Sequence, residues 1–179
     1  MKNYIKIFFI TLILLSGTFF QTKAYDIFSA MIDETRIQQS KACFKKTLAT
    51  LNQALLMSET LNDKTYTNFN DVWNLGIKEQ LANPKDIQNG VILADLTHVY
   101  YSKTGKLCTK APDEKYASKS SACAILTIDV NGLKEPNIQS STQKINDRYT
   151  VLLYSNRVLT IPNSVEWNMI NENKKRRNY

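Results

Sequence analysis

Residues with the means to do chemistry are few in this chain, and several gather in one stretch, "CAILTIDVNGLKEPN", residues 123–137. Asp129, Asn131 and Asn137 place hard oxygen ligands close together, and such oxygens suit calcium. An EF-hand register fails, because counting from Asp129 the fifth position is Leu133, the sixth Lys134 and the twelfth Ser140. A looser calcium loop built from Asp129, Asn131, Asn137 and backbone carbonyls stays open. The simpler reading is structural. A β-branched strand runs into a turn in which Asn131 and Gly132 supply the left-handed positions and Pro136 stiffens the exit.

Other chemistry finds little support. The single histidine, His98, sits in an apolar strand pattern, "LTHVYYS", where packing is the expected role. Cys43 has no spacing to His98 that suggests a nucleophile and its base. No nucleophile elbow, zinc-protease, CxxC, dinucleotide or P-loop motif occurs. Asp113 and Glu114 are adjacent in a polar stretch that keeps them solvated. A two-carboxylate hydrolase leaves no fixed spacing to find. Trp73, Trp167 and Tyr100-Tyr101 lack the interleaved basic residues of a base-stacking platform, so they read as core and sheet residues. A non-enzymatic protein is the expectation.

The elements that would position these residues follow from periodicity. Between Gly17 and Gly76 there is neither Gly nor Pro. Ile37, Phe44, Leu48, Leu51 and Leu55 recur on one helical face, with Lys41, Lys45, Asn52 and Glu59 opposite. A helix from about Asp26 to Ser58 would be roughly 50 Å long at 1.5 Å per residue. "VWNLGIKEQLA" then reads as a short second helix, capped by Asn70 or Asp71 and ending before Pro84. Beyond it the period shortens: "GVILAD", "HVYYSK", "KLC", "CAILTID", "YTVLLYS" and "RVLTIP" are strand-like runs separated by turn residues. Ser155-Asn156 marks a tight hairpin. "SVEWNMINEN" reads as a last helix capped by Asn163 or Ser164. Helices and strands are segregated, so the fold class is α+β: a long N-terminal α-helix packed on a C-terminal antiparallel β-sheet.

Composition narrows the setting. The first 24 residues run from Lys2 and Lys6 through an apolar core to Ala24, in the order of a secretory signal peptide. The alternative is a retained anchor, since Tyr4 to Phe20 is long enough to touch the inner membrane. Either way residues 25–173 form a body outside the cytoplasm, in the periplasm or at the cell surface, followed by the basic tail 174–179. The formal charge is +7, but Lys2, Lys6, Lys23, Lys174, Lys175, Arg176 and Arg177 account for all of it. The body is neutral and has no footprint for nucleic acid. An oxidising compartment would pair two of the three cysteines. Cys108 and Cys123 bound a polar loop, and closing about 15 residues would contribute roughly 3 kcal/mol. A bond from Cys43 to either partner is the alternative.

Two stretches together resemble the type IV pilin-like proteins, pseudopilins included. One is Lys46, Thr47, Leu51, Asn52, Gln53, Ala54 and Leu55 on the helix. The other is Asp129, Asn131, Gly132, Lys134, Pro136 and Asn137 in the turn. The resemblance implies a helical spine bearing an antiparallel head, working as a structural or accessory subunit of a pilus or secretion pseudopilus. Its partners would be other pilin-like subunits or envelope proteins. It also implies that the turn belongs to the head's architecture, with calcium held nearby in some members. The chain departs from that family at its start. It lacks the Gly-Phe cleavage point and the early Glu: its first Gly, Gly17, precedes Thr18, and its first acid is Asp26. A soluble derivative of the head and a retained spine under another processing rule both fit. The alternative outside the family is a small secreted binding or effector module that uses the 103–123 region for recognition.

Overall fold

The computed structural model describes residues 2–62, 65–132 and 146–176, with side chains described over 29–61, 65–132 and 146–171. The turn residue Pro136, the candidate ligand Asn137 and the side chains of 4–20 lie outside the described residues. Contacts divide the chain into two units, Met1–Gln38 and Gln39–Tyr179. The first is helical from Lys2 on, and its exposed residues include Met31 and Ile32, 61% and 53% accessible. Helix α1 as a whole spans Lys2–Asn62, longer at both ends than the leucine periodicity marks, because no Gly or Pro interrupts it over residues 18–62.

In the second unit, α1 lies against a six-stranded sheet, giving the α+β fold. The strands are β1 (Lys85–Ile87), β2 (Gly90–Ile92), β3 (His98–Lys103), β4 (Ala124–Asp129), β5 (Arg148–Leu153) and β6 (Val158–Thr160), in that spatial order and antiparallel throughout. Such a meander needs only short connections and no crossover. Phe44, Leu48, Leu51 and Leu55, the periodic face of α1, are buried in one cluster with Val99 of β3, Leu126 and Ile128 of β4, and Val151 and Leu153 of β5. Phe44 stacks on Tyr149 with ring centroids 4.5 Å apart. Full burial of each large apolar side chain stabilises by about 1.5–3 kcal/mol. Ile37, the first member of the expected stripe, is only half-buried.

Strand alternation sends the intervening residues to the opposite face. There Leu152, Tyr154 and Leu159 pack with Ala117 and Ala122 in a second cluster. Those alanines belong to the segment bounded by Cys108 and Cys123, which are joined in a disulfide. The sheet is therefore covered by α1 on one face and by the disulfide-bounded loop on the other.

Three expectations need correction. The second helix is broken into a short α2 (Phe69–Asp71), a π-helical turn Val72–Ile77 and a 3-10 turn Lys78–Gln80. Its cap is Asn68, whose extended backbone lets the side chain accept from Asp71 N–H at 2.9 Å. The wide turn buries Val72, Trp73, Gly76 and Ile77 together, and a Cβ on Gly76 would sit 3.2 Å from Leu55 Cδ2. "KLC" is not a strand, and β1 was not foreseen. The last helix, α3 (Val165–Arg176), forms as read, capped by Ser164 Oγ, which accepts from Trp167 N–H at 3.1 Å. Trp73 is core, whereas Trp167 is half-buried.

The sheet's β6 edge is partly closed by side chains. Asn52 of α1 donates to Val158 C=O at 3.1 Å and accepts from Val158 N–H at 2.9 Å. Its amide thus stands in for a neighbouring strand. Glu166 of α3 accepts from Thr150 N–H at 2.9 Å, just beyond the end of β6. Replacing Asn52 with Ala leaves two main-chain groups without that partner and should cost about 1–3 kcal/mol. Urea denaturation of Asn52→Ala is the check; a loss within experimental error would mean that water serves this edge equally well.

Candidate functional site

The sequence's chemistry-bearing stretch lies where β4 ends beside the start of β5. Asp129 is the last residue of β4 and pairs in register with Arg148, the first residue of β5. Arg148 Nε donates to Asp129 Oδ2 at 2.9 Å. The carboxylate is fully buried, and its Oδ1 has no hydrogen-bond partner. Burial pushes the Asp129 carboxyl above its ordinary range; the Arg148 hydrogen bond and charge pull it back only in part, and Asp147 adds to the upward push. Asp147, also buried, accepts from Asn131 Nδ2 at 2.9 Å, and its backbone C=O accepts from Val130 N–H.

His98 sits across the ladder from Asp129. It is buried, and its Nδ1 lies 2.9 Å from Tyr100 Oη, which fixes the ring as a packed polar residue. The turn reading is refined here. Gly132 has the left-handed conformation, with φ of 64°, whereas Asn131 does not. A Cβ on Gly132 would lie 3.1 Å from both His98 Nε2 and Leu96 C=O. Only glycine combines that backbone with that approach. Leu96 itself is exposed with φ of 67°, a conformation costing a leucine roughly 1–2 kcal/mol.

Of the candidate ligands, Asp129 and Asn131 are thus near one another, each with a protein partner. Among the described residues no three His, Cys, Asp or Glu side chains converge to hold a metal ion. Asp147 and Arg148 were missed by the sequence reading. The only signal for them is the polar start of the run that becomes β5, and partners 16 and 19 residues away are set by ladder register.

The predicted cysteine pair is present, Cys108 to Cys123, and Cys43 is the free thiol, half-buried with Sγ 3.3 Å from Thr97 Oγ1. The bounded loop is tied down at several points. Ser155 N–H donates to Thr109 C=O, Ala111 N–H to Asn156 Oδ1, and Ser118 N–H to Tyr154 Oη. Tyr116 is exposed there beneath Lys115, whose Nζ lies 4.7 Å from the ring centroid. Asp113 and Glu114 are exposed, as expected of solvated carboxylates.

Two clefts flank α1 within this unit. One, about 320 Å³, lies between Lys46, Thr50, Leu81 and Leu93. Lys46 and Asp95 pair at its rim, 2.9 Å apart. Burial would raise the Asp95 carboxyl, but hydrogen bonds from Lys46 and Thr97 outweigh it and hold the group below its ordinary value. The other, about 420 Å³, runs along β6. No family model, curated protein or solved structure matches the chain.

The raised Asp129 carboxyl gives a signed pH dependence. The folded state holds its proton more tightly than the unfolded chain, so this group's contribution is full in acid and is lost as pH rises through its raised folded value. Asp129→Asn removes that term, so the stability difference should shift toward the variant between acid and neutral pH. His98, Asp147 and Arg148 face the same group and stay in both proteins. Denaturation of the two proteins across that range checks it; parallel curves would overturn the assignment.

Proposed function

We propose that this chain is an exported, non-enzymatic pilin-like subunit, structural or accessory, of a type IV pilus or a secretion-type pseudopilus. The observation carrying this reading is α1 itself. It runs unbroken from Lys2 to Asn62, buries its Phe44–Leu55 face under an antiparallel sheet, and leaves apolar Met31 and Ile32 accessible in the unit before it. A helix that spends one face on a head and keeps other apolar residues accessible is suited to docking against further helices. The Asp129–Gly132 turn, with its glycine pinned against His98, fits the structural part that the resemblance assigns to it. The Cys108–Cys123 disulfide supports an oxidising location outside the cytoplasm. Whether residues 1–24 are removed decides between a membrane-held spine and a free head.

In vivo cross-linking through a benzophenone residue at position 32, combined with intact mass of the purified native protein, tests this reading. The expected outcome is a ladder of cross-linked pilin-like subunits, lost in Met31→Glu with no change in the melting of the body. A uniformly monomeric protein without envelope cross-links would overturn it.

A further inference from the structure

The closure of the β6 edge is incomplete. In an antiparallel ladder the outward-facing main-chain groups belong to alternate residues. Val158 faces outward, since Asn52 takes both its N–H and its C=O. Its neighbour Leu159 therefore faces β5, opposite Leu152, and Thr160 faces outward again. Among the described residues no side chain or backbone group bonds the outward N–H and C=O of Thr160. Thr160 lines the cleft of about 420 Å³, whose walls also include Gln53, Leu56, Glu114, Arg157 and Ile170.

We propose that this gap is a docking site for a short extended peptide bearing one carboxylate, which adds to β6 through the main chain of Thr160. An extended backbone presents a donor and an acceptor at the spacing that the edge of a strand requires, which is the basis of strand addition. The Asn52 amide makes the same pair of bonds two residues earlier, so the edge already accepts a strand mimic at this height. Leu56, 62% accessible, and Ile170 give the peptide's neighbouring side chain an apolar wall. Arg157 is exposed and has no ion pair among the described residues, which supplies the complementary charge for a carboxylate. Glu114 on the same rim opposes a continuous polyanion, so the mixed signs favour a peptide over a phospholipid surface or a nucleic acid. The inference stands apart from the assembly reading: it rests on the β6 edge and the charge of Arg157 alone.

The test uses the full chain and a panel of fluorescent pentapeptides, Thr-X-Thr-Val-Asp with X an aliphatic or aromatic residue and the C-terminus amidated, so that the Asp side chain is the one carboxylate. The same amidated peptides with Asn in place of Asp form the second arm, and anionic phosphatidylglycerol vesicles and a single-stranded oligonucleotide form the third. Saturable binding of the Asp peptides is expected, with exchange of the Thr160 amide slowed by about tenfold or more at saturation. Arg157→Glu should weaken the Asp peptides about tenfold and spare the Asn ones. Thr160→Pro, which lacks the donor, should abolish binding; if it fails to fold, Leu56→Lys at the accessible wall serves in its place. The proposal is overturned if no peptide alters Thr160 exchange at millimolar concentration. It is equally overturned if both peptide arms bind alike before and after Arg157→Glu, or if only vesicles or the oligonucleotide bind.

Discussion

The contact between one face of α1 and one face of the sheet is the constraint on which the second unit depends. Phe44, Leu48, Leu51 and Leu55 occupy successive turns of the helix and meet the inward residues of three adjacent strands. Because strands alternate, that choice of inward residues leaves Leu152, Tyr154 and Leu159 on the far side, where they need a separate cover. The disulfide-bounded loop supplies it through small residues, Ala117 and Ala122, that let the backbone lie close. A one-residue slip of β5 would exchange the two sets and expose both, so register is fixed by the helix and the loop together.

Polar groups at the sheet's ends and edge follow from the same geometry. Asn52 lies one residue along α1 from buried Leu51, close enough to reach β6, and its amide suits an edge residue whose main chain would otherwise face a cleft. At the other margin Asp129 ends β4 deep enough to lose its water, and the register delivers Arg148 opposite it. The pair is incomplete, since one carboxylate oxygen is left without a hydrogen bond. A pair with one charge fully buried is weak evidence of added stability, because desolvation offsets much of the attraction.

Much of this was legible in sequence, and the exceptions have physical causes. The helix was visible because no Gly or Pro interrupts the leucine spacing. Five of the six strands were visible because their β-branched and aromatic runs are distinct from the helical period. β1 was missed because Lys85 and Asp86 mask a short edge strand, although Asn89-Gly90 is a hairpin signal, and Asn89 takes a φ of 55°. The second helix was read as regular because periodicity cannot register the π-helical widening that brings Val72, Trp73 and Ile77 inward together. The cysteine pair was readable from the polar interval between its members. The Asp129–Arg148 and Asn131–Asp147 contacts were not, because local spacing says nothing about which strand ends will meet.

The disulfide also sets how far the cover on the back of the sheet can stray. The segment that shields Leu152, Tyr154 and Leu159 brings Ala111, Ala117 and Ala122 and a few hydrogen bonds to the back of the sheet, too little apolar area to hold it firmly by contact alone. With Cys108 and Cys123 joined, both ends of that segment are anchored in the same buried cluster as the α1 face. Reducing that bond would lengthen the tether on the cover and leave the second greasy surface more available to neighbouring chains.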